Sequence, residues 1–83
     1  MTNERKAGLA RLLLRYPERR LAILRVAMTP TMAELCESYE LACVAAEYWA
    51  EVPGSEAAAM TAEFRLLIVA IEAEVSRELT DGA

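Results

Sequence analysis

"PTMAELCESYELACVAAEYWAEVPGSEAAAMTAEFRLLIVAIEAEVSREL", Pro30 to Leu79, is interrupted once, at "VPGS" (Val52–Ser55), and nowhere else by a turn signal. On both sides of that turn the apolar residues return every three or four positions, which is the period of a helix and not of a strand. Thr29 followed by Pro30 is a helix start, and Thr31 with Glu34 forms the T-x-x-E pattern of a capping box, so one helix is predicted from about residue 30 to about Val52. Ser55 can cap the next, with Glu56 in a first turn where the helix dipole favours an acid, and that helix is predicted to reach Leu79. Long helices joined by a short turn lie antiparallel, so residues 30–79 read as an αα-hairpin.

On the first of these helices Met32, Leu35, Cys36, Tyr39, Ala42, Cys43, Ala46, Trp49 and Ala50 share a broad face, and Glu37, Glu40, Glu47 and Glu51 form an acidic stripe on another. Leu41, Ala45, Tyr48 and Val52 flank the apolar face. The second helix carries a large-residue face (Met60, Phe64, Leu67, Ile68, Ile71, Val75), a polar strip (Thr61, Arg65, Glu72, Ser76) and a mostly small-residue face of Ala59, Ala62, Leu66, Val69, Ala70 and Ala73. Small residues permit close backbone approach. The expectation is that the large-residue face, Phe64 and Ile71 included, fills the seam with the first helix, and that the small-residue face meets another helix.

Upstream, residues 1–29 form a basic arm. "NERKAGLARLLLRY" places Leu9, Leu12, Leu13 and Tyr16 at helical spacing, Pro17 then kinks or breaks the helix, and "PERRLAILRVAM" continues with Leu21, Leu24 and Met28 on one side. The last residues, 80–83, read as a disordered tail. The whole is therefore expected to be all-α: a single helical domain in which a Pro-kinked N-terminal arm packs on the antiparallel helical hairpin, dimerising into a helix bundle. With 83 residues such a chain buries only about 60% of its unfolded surface, and a second copy would supply cover it lacks.

Charge is segregated along the chain. Residues 1–30 hold seven basic side chains against two acids, a net of +5, and residues 31–83 hold two basic side chains against eleven acids, a net of −9. The arm's Arg11, Arg15, Arg19, Arg20 and Arg25 form a candidate basic partner surface that could meet nucleic-acid phosphates, anionic lipid or the chain's own acids. The last reading is preferred, because the sequence pI is about 4.8 and no aromatics interleave the arginines.

Chemistry is bounded by absences. There is no histidine, which removes the commonest general base and imidazole metal ligand, and the three glycines form no phosphate-binding loop. Ser38, Ser55 and Ser76 are isolated, so no catalytic residue, cofactor or metal is assigned and an enzyme is not expected. Cys36 and Cys43 lie two helical turns apart, roughly 10 Å in rise, too far for a mutual disulfide, and read as buried small hydrophobes. The acidic stripe reads as solvated, and Tyr39, Tyr48 and Trp49 as core aromatics. No apolar run approaches the roughly 20 residues of a membrane span. The chain is thus expected to be a cytoplasmic, bacterial-type interaction module, an adaptor or regulator. Its expected partners are a second copy through Ala59, Ala62, Leu66, Val69 and Ala73, and a protein of unspecified identity. A nucleic-acid-binding regulator using the arginine arm is the alternative reading, with a membrane role ranked below it.

Overall fold

The computed structural model describes residues 2–81 and is all-helical, with four helices packed against one another. Helix α1 spans Asn3–Arg15, a 3-10 turn follows at Pro17–Arg19, and α2 (Arg20–Val26), α3 (Pro30–Glu51) and α4 (Ser55–Asp81) complete the chain. Because α4 reaches Asp81, Thr80 and Asp81 belong to the helix and not to a tail, while residues 82–83 lie outside the described residues.

Side-chain caps set the starts of α1 and α3, while α4 begins at Ser55 itself. Thr2 Oγ1 accepts from the Arg5 amide at 3.2 Å and Glu4 sits in the first turn of α1. At α3 the capping residue is Thr29: its Oγ1 accepts from the Met32 amide at 3.3 Å and its hydroxyl donates to the Val26 carbonyl at 2.8 Å, with Pro30 at the first helical position. Thr31 and Glu34 therefore stand inside the first turns and make no capping box. The Val52–Gly54 link into α4 uses Gly54 at φ 108°, a backbone conformation that side chains with a Cβ rarely adopt.

The core forms where α1 and α2 cover one end of the long α3–α4 pair. Leu12, Ile23, Met32, Cys36, Tyr39, Ala42, Ile71, Val75 and Leu79 make one buried cluster drawn from all four helices. Helix α1 ascends alongside α3, with Arg5 near Glu37 and Arg11 near Glu40 and Glu47. Gly8 makes this possible. It is buried against α3 so closely that an added Cβ would overlap the Cys36 carbonyl.

Two expectations about faces change. After the 3-10 turn at Pro17, Ile23 of α2 and Ala27 just beyond it turn inward, so Leu21, Leu24 and Met28 are exposed and stand outside the core cluster. Ile23 stands eleven residues after Leu12, within about 20° of it around a helix, so the buried side of α2 is the one in line with the buried side of α1. On α4, Ile71 and Val75 are buried and Met60, Phe64 and Ile68 are only half-buried, while Leu67 is exposed. Beyond the reach of α1 no third helix packs on the α3–α4 pair among the described residues. The radius of gyration, 13.4 Å, accordingly exceeds the roughly 12 Å of a compact domain of this length, and the extents are 44 × 23 × 21 Å.

Gly8→Ala is expected to destabilise the domain. Helix propensity alone would favour alanine by about 1 kcal/mol, but forcing a methyl into a backbone carbonyl that no rotamer change can move costs about 1–3 kcal/mol or more. Thermal unfolding followed by circular dichroism should show a lower Tm, by roughly 4–8 °C for each net kcal/mol. An unchanged or raised Tm would mean that α1 is not seated on α3 at this point.

Candidate functional site

The arginines of α1 lie over the acids of α3 and α4. Arg11 Nε donates to Glu40 at 2.5 Å, and its two terminal nitrogens donate to the two Glu47 oxygens at 2.9 and 3.2 Å. This fork-to-carboxylate geometry suits a planar guanidinium and is stronger than a single contact. It pushes the Arg11 guanidinium further from deprotonation, chiefly through the Glu47 bond, and holds the Glu47 carboxyl below its ordinary range. Arg5 approaches Glu37 at 3.6 Å and Arg15 approaches Glu72 at 3.5 Å, with the Arg15 guanidinium 4.8 Å from the Tyr16 ring centre.

Glu72 is the second meeting point. It also accepts the Tyr39 hydroxyl at 2.7 Å, tying α3 to α4 beneath Arg15. Burial raises the Tyr39 phenol well above its usual range, and the Glu72 carboxylate adds to the rise. Periodicity places Glu72 only in a polar strip, so this joint has no sequence signal beyond the residue types.

Of the candidate basic surface, then, Arg11 and Arg15 are turned onto the chain's own acids. Arg19, Arg20 and Arg25 sit in the 3-10 turn and α2, Arg20 and Arg25 exposed, with no ion pair among the described residues. The five residues do not form one continuous basic face. Part of the acidic stripe is likewise engaged: Glu37, Glu40 and Glu47 pair with α1, and Glu51 stays exposed.

Both cysteines are free, Cys36 buried and Cys43 half-buried, and burial raises both thiols above their ordinary range, against the pull of Arg5 and Arg11 respectively. Tyr39 is buried, but Tyr48 is exposed and packs edge-on to half-buried Trp49 with ring centres 5.1 Å apart. Tyr48 is therefore not a core residue. With Leu41 and Val44 it makes an exposed apolar patch on α3, on the side where spacing places the second apolar set. Near the α3–α4 link, Trp49, Thr61, Ala62 and Arg65 border an open hollow of about 270 Å³. Thr61 is buried there and donates to the Ala57 carbonyl at 2.9 Å, so it leaves the polar strip to which its spacing assigns it.

The small-residue face of α4 is brought together as a surface. Ala59, Ala62, Leu66, Val69 and Ala73 are all exposed, on the side of α4 opposite Ile71 and Val75. Leu66 is 70% and Val69 61% exposed, a large apolar presentation for the centre of a helix. Among the described residues no group of three or more acidic, cysteine or histidine side chains is placed to hold a metal ion, and no helix is long and apolar enough to cross a membrane.

Two measurements check this arrangement. Cys36 should stay unmodified by an alkylating reagent in the native protein and Cys43 should react slowly, both becoming fast on unfolding; rapid native loss of the Cys36 thiol would contradict its burial. Glu47 has a lower pKa folded than unfolded, so its contribution to stability is complete above its ordinary value of 4.5 and lost as pH falls through the depressed folded value. Glu47→Gln should therefore flatten the acid limb of a Tm-against-pH curve, and an identical limb in both proteins would show that the Arg11 pair does not form in solution. Compared with protein-family models, with curated proteins and with solved structures, the chain matches none.

Proposed function

We propose that the protein is a small non-catalytic interaction module that self-associates through the outer face of α4 and works as an adaptor or regulator. The observation that carries this reading is the exposed apolar row Ala59, Ala62, Leu66, Val69 and Ala73, with its two largest members more than half exposed. A helix exposed along such a row leaves unpaid the burial on which a domain of this size depends. The chain also presents 5389 Å² of surface, against roughly 4900 Å² for a compact monomer of its mass. In this reading α3 and α4 form an antiparallel hairpin, α1 and α2 brace one end of it, and a second copy covers the outer row in a two-fold dimer.

The arginine arm supports binding to a polyanion less well, because Arg11 and Arg15 are already neutralised by Glu40, Glu47 and Glu72. What the arm does instead is seat α1. A cytoplasmic setting accords with two unpaired thiols.

Sedimentation or light scattering of the full chain at tens of micromolar should give a dimer, and Ala62→Glu and Ala73→Glu, which place a charge on an already exposed position, should each give a folded monomer. A monomeric wild type, or charged variants that remain dimeric, would defeat the assignment.

A further inference from the structure

Resting on the self-association just described, we propose that the two copies meet with their α4 helices antiparallel, in one register, which is specified by reciprocal ion pairs between Glu63 and the partner's Arg77.

Spacing along α4 supports a helix-to-helix seam. Residues 59, 62, 66, 69 and 73 alternate steps of three and four, the heptad seam of two helices that wrap around one another. Within it the only bulky side chains are Leu66 and Val69, and both are central. Two copies in parallel would stack Leu66 on Leu66 and Val69 on Val69 while leaving alanine on alanine at both ends, an uneven fit along the seam. Turned antiparallel about a two-fold axis between residues 69 and 70, Leu66 falls opposite the partner's Ala73 and Val69 opposite the partner's Ala70. Ala70 is exposed beside the row. Each large residue then faces a small one, twice over, and the helix axes can approach closely.

The flanking charges select the same register. A two-fold axis perpendicular to the helices brings each flank of the seam against the same flank of the partner, with the direction reversed. Glu63 and Arg77 are fourteen residues apart, which places them on the same flank. The axis that matches Leu66 to the partner's Ala73 brings Glu63 to within one residue of the partner's Arg77, a separation of about 1.5 Å along the helix. Both side chains are exposed, and Arg77 makes only a surface pair with Glu74 one turn earlier, 66% and 51% exposed. That pair contributes little by itself and leaves the guanidinium free to reach the partner. On the opposite flank Glu72 is held within its own chain by Tyr39 and Arg15, so its acid does not oppose the approach of its twin near the axis.

Charge reversal tests this register. Arg77→Glu and Glu63→Arg each replace two attractions by two repulsions and should weaken the dimer by roughly tenfold in sedimentation equilibrium, while Glu63→Arg/Arg77→Glu together should return it to within about threefold of wild type. Disulfide trapping gives a second reading that is independent of charge. Val69→Cys should cross-link to its own copy beside the axis, whereas Ala59→Cys, whose copies would lie roughly 30 Å apart, should not. A wild-type monomer would remove the self-association itself. A dimer that ignores the single reversals, that the double reversal fails to rescue, or that cross-links through Ala59→Cys would overturn the antiparallel register alone.

Discussion

The close approach of α1 to α3 at Gly8 is the constraint from which most of the remaining structure follows. With no side chain at that point, the backbone of α1 can rest against the Cys36 carbonyl, which carries Leu12 into the core beside Cys36, Tyr39 and Met32. The same seating sets Arg5, Arg11 and Arg15 against Glu37, Glu40, Glu47 and Glu72. The Arg5–Glu37 and Arg11–Glu47 pairs are half-exposed, and pairs of that kind are worth at most about 1 kcal/mol each, less in salt, while the Glu40 and Glu72 carboxylates are mostly buried. Burial of Leu12 and Cys36 therefore holds α1 down, and the ion pairs select where along α3 it sits. A slip of one helical turn, about 5.4 Å, would strand Arg11 away from one of its two carboxylates.

Most of the framework is legible in the sequence because it depends on local signals. Pro17, Thr29-Pro30 and the Pro-Gly at 53–54 mark the helix ends, and Cys36, Tyr39, Ala42 and Ala46 share the buried side of α3 as their spacing indicates. Two kinds of information are missing. Two apolar sets compete on α2, Leu21, Leu24 and Met28 against Ile23 and Ala27, and their spacing alone does not say which one meets the core; the second set is buried and the first exposed. The width of a buried face also depends on what covers it. Helix α1 ends at Arg15, leaving Phe64 and Met60 half-buried even though both lie at helical spacing with Ile71, while Tyr48 is exposed because it stands with Leu41 and Val44 on the side of α3 opposite Tyr39. The candidate surfaces divide in the same way. The small-residue row on α4 follows from spacing alone, whereas the splitting of the arginine set, with Arg11 and Arg15 turned inward and Arg20 and Arg25 left outside, depends on the register that Gly8 permits. Gly8 carries no sequence signal beyond being a lone glycine inside a helical pattern.

Segregated charge is often read as an invitation to an oppositely charged partner, and here its first use is internal. Three basic residues of α1 are matched to four acids of α3 and α4, so the strongest local attraction between the +5 and −9 halves is already satisfied within the chain. What remains outside is an excess of acids, a few scattered arginines and apolar side chains on α3 and α4. A surface of that kind repels a polyanion over most of its area and gives long-range steering little to act upon. In the proposed dimer the free energy of association would come mainly from removing Leu66, Val69 and their neighbours from water, a contribution that salt does not screen. Charge would then matter only at the edges of that proposed contact, where Glu63 and Arg77 stand, and there it would serve to distinguish one alignment of two similar helices from another more than to hold them together.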